Sequence, residues 1–210
     1  KAQVNLPGDI AVDSLGNIYF ADTQNHRIRK IDVNGIIDTV ALVTLPQSVA
    51  VDAQDNVYFS GSKHFIQKMD PQGSITTIAG NGTTTIVEGV PATETGFATA
   101  MHLTVDREGN IFFFSQTGSF RIHKIDTSGI FNTIAGTGDP TGFNFNGDDI
   151  PAISANMNVT GMTVDTEGTL YINNVAVSGR IQKILPALPG FVDDNILIAA
   201  EDGSECYVFN

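Results

Sequence analysis

The sequence predicts an all-β fold, a β-propeller of four-stranded antiparallel blades, and three observations predict it. First, the stretch "IAVDSLGNIYFADTQNHRIRKID" at 10–32 returns as "VAVDAQDNVYFSGSKHFIQKMD" at 49–70, "LTVDREGNIFFFSQTGSFRIHKID" at 103–126 and "MTVDTEGTLYINNVAVSGRIQKIL" at 162–185. The Val-Asp pairs recur at spacings of 39, 54 and 59 residues, the surplus lying between copies, which marks a repeated supersecondary unit. Second, each copy alternates apolar and polar residues with the period of half-buried strands. Third, Asp-, Asn- and Gly-rich turns cut each copy into short runs. Four such strands cannot bury their own apolar faces, and packing several sheets face to face around an axis buries them all.

The elements follow in order within the first copy. Residues 9–12 make a short strand that runs into Asp13 to Asn17, a turn of residues that tolerate left-handed backbone. A second strand covers 18–21, with its counterpart at 111–114 in the third copy. After a loop of variable length comes the third strand, 27–32. Tight turns at Asn34-Gly35, Gln72-Gly73 and Ser128-Gly129 then lead to fourth strands at 36–41, 75–79 and 130–135.

With 210 residues, 41% of them hydrophobic, the chain has enough apolar side chains for a core that needs no cross-links. Eleven Lys and Arg against 23 Asp and Glu leave a net charge of −12, which repels phosphate backbones and argues against nucleic acid as a partner. No apolar run approaches the roughly 18 residues that cross a bilayer, so no membrane insertion is expected. Cys206, the single cysteine, has no internal partner and reads as a small apolar residue. A start at Lys1 reads as a mature or excised segment of a longer protein.

The run "LPGDIAVDSLGNIYFADTQNHRIRKID" resembles the NHL repeat, and His26 follows Asn25 as in many bacterial members. The connectors, with an Ala-Gly-x-Gly start and a Pro-Ala-x-x-Ala centre, resemble the longer linkers of bacterial repeats. The resemblance spans 6–186 and implies one propeller domain over 1–210, with blades at about 6–44, 45–82, 98–138 and 157–187. Of two readings of the C-terminus, the first is the one expected, because the second leaves both chain ends unpaired. In the first, 188–210 form a degenerate fifth blade whose outer strand comes from residues 1–5, which pairs both chain ends. In the second, 196–200 are the fourth strand of the fourth copy.

Eight of the eleven cations lie on third strands, among them the repeated Lys30, Lys68, Lys124 and Lys183. A residue required once per blade is expected to serve the blade, by pairing with Asp13, Asp52, Asp106 and Asp165 or with Asp32, Asp70 and Asp126. His26 and His64 occupy equivalent places before the third strand and His123 lies within it, so the ring's rotation holds them apart. The propeller lyase of peptide amidation is similar in repeat type and uses zinc-bound histidines along its channel; here only His102 is placed to reach the channel mouth, and that activity is not carried over.

Function is expected where the blades disagree. Asp9, Ser48, His102 and Gly161 lead into the first strands, differ from copy to copy and make an asymmetric ligand-binding candidate at the channel mouth. The connectors 81–97 and 136–156 are the other candidates, because loops longer than about 12 residues are usually functional. Asp139, Asn144, Asn146, Asp148 and Asp149, in a Gly-rich setting, are candidate calcium ligands without the fixed spacing of an EF-hand. No other cofactor is implied. No nucleophile elbow, Walker loop or dinucleotide fingerprint is present, and "AGNG" at 79–82 precedes no helical pattern. The reading is a non-enzymatic binding module for a protein, peptide or glycan, without catalytic residues; the resemblance implies an extracellular or periplasmic location. The alternative is a metal-dependent propeller enzyme, a lyase or lactone hydrolase, that activates water in the central channel.

Overall fold

A computed structural model describes residues 3–116, 120–139, 150–175 and 179–184, and the backbone of 198–199. The first blade comprises β1 (Pro7–Val12), β2 (Ile18–Asp22), β3 (Arg27–Ile31) and β4 (Ile37–Leu42), and the second β5 (Ser48–Val51), β6 (Val57–Ser60), β7 (Ile66–Met69) and β8 (Ile75–Ala79). A short β9 (Val90–Pro91) precedes the third blade, β10 (Ala100–Val105), β11 (Ile111–Ser115), β12 (Arg121–Ile125) and β13 (Ile130–Ala135). The fourth has β14 (Val159–Val164), β15 (Leu170–Asn174), β16 (Arg180–Ile184) and β17 (Ile198–Ala199). Each is an antiparallel sheet with its strands in chain order, and β9 adds itself to the edge at β13. Together they are four blades of a β-propeller. β1 lies against β5, β5 against β10 and β10 against β14, so the first strands line the inside.

The repeated aspartates hold turns. Asp13 accepts hydrogen bonds from the Asn17 amide at 2.8 Å, the Leu15 amide at 3.0 Å and the Asn17 side chain at 2.7 Å. Asp52 does the same with Asn56, and Asp106 with Asn110. Burial alone would raise the Asp13 carboxyl, but these bonds and one from Tyr19 outweigh it and hold it below the ordinary value. Asp32, Asp70 and Asp126 bracket the second turn through the amides of Ile36, Ser74 and Ile130. Among the described residues no repeated lysine forms a close ion pair with these acids, which corrects the expected pairing, although the Lys30 charge helps to lower the Asp32 carboxyl. Their ammonium groups lie over aromatic rings instead: Lys30 over Tyr19 at 5.4 Å, Lys68 over Tyr58 at 5.6 Å and Lys124 over Phe112 at 5.7 Å. A short Asp side chain satisfies local amides at little entropic cost, whereas a long Lys stem covers an aromatic face. Arg29 meets Asp22, outside both repeated sets, at 4.0 Å.

Three apolar clusters fill the spaces between blades. Tyr19, Ala21 and Ile28 face Val49, Val57 and Phe59 between blades one and two. Tyr58 and Ile66 face Phe113 and Phe131 at the next junction, and Phe112 and Ile122 face Leu170 and Ile172 at the last.

The connector motifs have structural work. The Gly80 amide donates to the Ala92 carbonyl at 2.8 Å and Gly136 to Ala152 at 2.9 Å, so the Ala-Gly-x-Gly start docks on the Pro-Ala centre. Phe97 is fully buried, its ring centre 4.8 Å from that of Phe113. The connector 81–97 is thus pinned across the third blade. At the other end, Ile198 and Ala199 pair with Ile184 and Lys183. These two residues are the outer strand of the fourth blade, which corrects the fifth-blade reading for them: the free edge of β16 is paired in sequence order. The rest of 188–210 lies outside the described residues. Gln3 to Asn5 form no strand; the Asn5 amide donates to Asp22 at 2.8 Å.

Gly73 (φ 86°) and Gly80 (φ 92°) both adopt left-handed backbone, but only at Gly80 would a Cβ run into backbone, that of His64. Gly73→Ala is expected to cost about 1 kcal/mol from the left-handed strain alone and Gly80→Ala about 3 kcal/mol, measured by urea unfolding. Equal losses would show that the docked turn contributes nothing.

Candidate functional site

The inner strands are irregular beside the candidate residues. Register shifts fall between Pro7 and Ile10, between Met101 and Thr104, and between Val159 and Gly161. The second blade keeps a regular ladder with Ser48 opposite Ser60. Bulges of this kind re-aim side chains, and His102 takes a left-handed φ of 54°.

The shifted residues meet. The Asp9 carboxylate accepts from the Ser48 hydroxyl and, at 3.1 Å, from the Val49 amide. The Leu103 amide donates to the same Ser48 oxygen at 2.8 Å. One fully buried hydroxyl therefore ties blades one, two and three together. His102 is half-buried in the field of Asp9 and hydrogen-bonds the backbone of Val159, which adds the fourth blade to the circuit. Burial pushes its imidazole below the ordinary value, against the opposing pull of Asp9 and Val159, so the ring is neutral at pH 7. Gly161 lies in β14 without a side chain, and a Cβ there would meet only the Cβ of Asn173 at 3.9 Å. These residues thus bring a carboxylate and a neutral imidazole together. Ser48 donates to Asp9 and is closed off from solvent, so it is no nucleophile.

Of the candidate calcium ligands, Asp139 is described and its amide donates to the Thr137 hydroxyl at 3.3 Å; Asn144, Asn146, Asp148 and Asp149 lie outside the described residues. Among the described residues no three His, Cys, Asp or Glu side chains converge as metal ligands. His26 and His64 take φ of 57° and 59° just before their third strands, where Phe120 (42°) and Gly179 (54°) also stand left-handed. Their equivalence is conformational, since histidine is among the few residues that enter this region readily.

His123 belongs to a chain of hydrogen bonds that the spacing of motifs gave no sign of. Thr133 gives its hydroxyl proton to Glu88 at 2.5 Å, so His123 Nδ1 carries the hydrogen that reaches the Thr133 oxygen at 2.9 Å. His123 Nε2 is then the acceptor for Ser115 Oγ at 2.8 Å. The order resembles a nucleophile and its base, but Ser115 and His123 are fully buried beside Phe113 and Phe131, and no substrate reaches them. The one sequence signal is that His123 replaces Gln67 and Gln182 at the matching position. A cleft of about 850 Å³ between blades three and four is lined by Glu88, Asp106, Glu108, Lys124, Asp126 and Glu167 and touches none of Asp9, Ser48, His102 and Gly161.

The blade and turn geometry of the first copy coincides with a family match: residues 4–31 fit the model of the NHL repeat. This segment matches the NHL repeat. No curated protein matches the sequence. Similar solved structures include a structural-genomics protein of unknown function from Bacteroides thetaiotaomicron, at 20% identity and a TM-score of 0.66, over 84% of this chain and 46% of that one. An auxiliary nutrient binding protein from the same bacterium aligns at 15% identity and a TM-score of 0.63, over 83% and 46%. A catalytically inactive virginiamycin B lyase from Staphylococcus aureus, with quinupristin, aligns at 15% and 0.56, over 90% and 58%. At these identities the likeness shows the propeller fold alone, and the chain spans about half the length of these structures. Within the matched residues 4–31, Asp13 and Asn17 set the turn while Asp9 reaches the second blade. Ser48 and His102 come from later copies.

Two titrations check these environments. The His102 ring is expected to titrate below 6.5, and Asp9→Asn to lower it further by removing a favourable charge, read by NMR of the imidazole; an unchanged value would break the pairing. For His123, burial and then the Arg121 charge push the imidazole down to about 3 in the folded protein. Between there and the ordinary 6.5 the unfolded chain binds a proton that the folded one does not. Stability is therefore complete above about pH 6.5 and lost progressively as pH falls toward 3. His123→Gln is expected to flatten that loss in urea unfolding at pH 7 and pH 4.5.

Proposed function

We propose that this propeller is a non-enzymatic binding module whose channel mouth, built on Asp9, Ser48 and His102, recognises a protein, peptide or glycan outside the cytoplasm. One observation carries the reading: polar residues that differ between copies sit at symmetric positions and are tied across blades through Ser48. A pocket held in that way loses little conformational freedom on binding. The net charge of −12 favours cationic or neutral polar ligands over anionic ones. The likeness to a nutrient-binding protein supports the same reading. Among the described residues no helix is long and apolar enough to cross a membrane.

A second reading has its own observation. A neutral imidazole in the field of a carboxylate suits proton transfer, and a lyase shares the architecture. Probing peptide and glycan arrays with the purified chain, followed by calorimetry on the hits, separates the two. Binding is expected to weaken at least 10-fold when Asp9 and His102 are both replaced by Ala. Turnover of a lactone or of a streptogramin that depends on an added divalent metal, and falls with the same substitutions, would establish the enzyme instead.

A further inference from the structure

In β10 the side chains break step. Residues three apart in a regular strand face opposite sides of the sheet. Ala100 and Leu103 are nevertheless both buried in the cluster that Tyr58 and Ile66 of blade two complete, at 1% and 5% exposure. An extra residue makes this possible: Met101 pairs with Phe114 and Thr104 with Phe112, so His102 and Leu103 together stand opposite Phe113. His102 occupies the corner, with its left-handed φ of 54°, and hydrogen-bonds the backbone of Val159 in blade four. A left-handed corner at a residue other than glycine persists only where its surroundings hold it.

Two hydroxyl groups of blade two hold this one. Ser60 Oγ donates to the Ala100 carbonyl at 2.7 Å, just before the bulge, and Ser48 Oγ accepts from the Leu103 amide at 2.8 Å, inside it. The two serines pair with each other across β5 and β6 and are 0% and 1% exposed. No other blade carries hydroxyls at both positions: the counterparts are Asp9 with Ala21, His102 with Phe114 and Gly161 with Asn173. Without the extra residue, Leu103 would lose its register with Ser48 and turn its side chain to the other face. We propose that Ser48 and Ser60 are positioning residues: acting through backbone groups alone, they fix the bulge of β10 and so aim His102 toward blade four. The use made of His102 rests on the binding reading above, whereas its placement by the two serines does not.

NMR of the purified chain, with nothing bound, tests the proposal. Ser60→Ala is the cleaner variant, because Ser48 also donates to Asp9, whose charge acts on the same imidazole. Burial is what holds the His102 ring low, so a bulge released at Ala100 is expected to let its titration rise toward 6.5. Gly73→Ala, which strains the turn between β7 and β8, is expected to leave that titration unchanged and controls for destabilisation as such. In the unmodified protein the Leu103 amide is expected to exchange slowly with solvent, and about 5-fold faster in Ser48→Ala, as the loss of one hydrogen bond predicts. The measurement on the unmodified protein decides the matter even where a variant does not fold. An unchanged His102 titration in Ser60→Ala, an equal shift in Gly73→Ala, or a freely exchanging Leu103 amide in the unmodified protein overturns the proposal. None of these readings involves a ligand, so a chain that binds nothing on peptide and glycan arrays refutes the binding reading and leaves the positioning role standing.

Discussion

A four-stranded sheet of strands no more than six residues long has two apolar faces and no third layer of its own to cover either. Every other feature answers to that constraint. Ile28, Ile66 and Ile122 are fully buried only because the following blade supplies Val49, Phe113 or Leu170 and their neighbours to pack against. Stability is then a property of junctions more than of blades, as in other repeat proteins.

With the faces committed to packing, the edges and turns carry the polar chemistry. Repeated aspartates are used within four residues of themselves, on Asn17, Asn56 and Asn110. The lysines follow the aromatic residues they shield, and the histidines at 26 and 64 follow a left-handed corner. Symmetry of residue type thus reports the mechanics of a blade. Departures from symmetry report something else: Ser48 for Asp9 couples neighbouring blades, and His123 for Gln67 builds a buried hydrogen-bond chain.

The strands of the first three blades were legible in the sequence nearly to the residue, and Asp9, Ser48, His102 and Gly161 stood out as places where copies differ. Their contacts were not. The register shifts that turn Asp9 and His102 toward neighbouring blades change no residue type and leave the alternation intact, so nothing in the pattern announces them. The pairing of Ile198 with Ile184 was equally hidden, because 188–210 aligns with either a new first strand or an old fourth one.

Chain chemistry alone settles the turns, the left-handed corners and the alternation of strands, since each depends on groups within about four residues of one another and on the steric limits of the backbone. Tertiary structure alone decides which surfaces meet: Asp9 reaches Ser48 across 39 residues, and Ser48 reaches Leu103 across 55. Contacts at such separations are set by how whole sheets stack, and no local preference along the chain encodes that geometry.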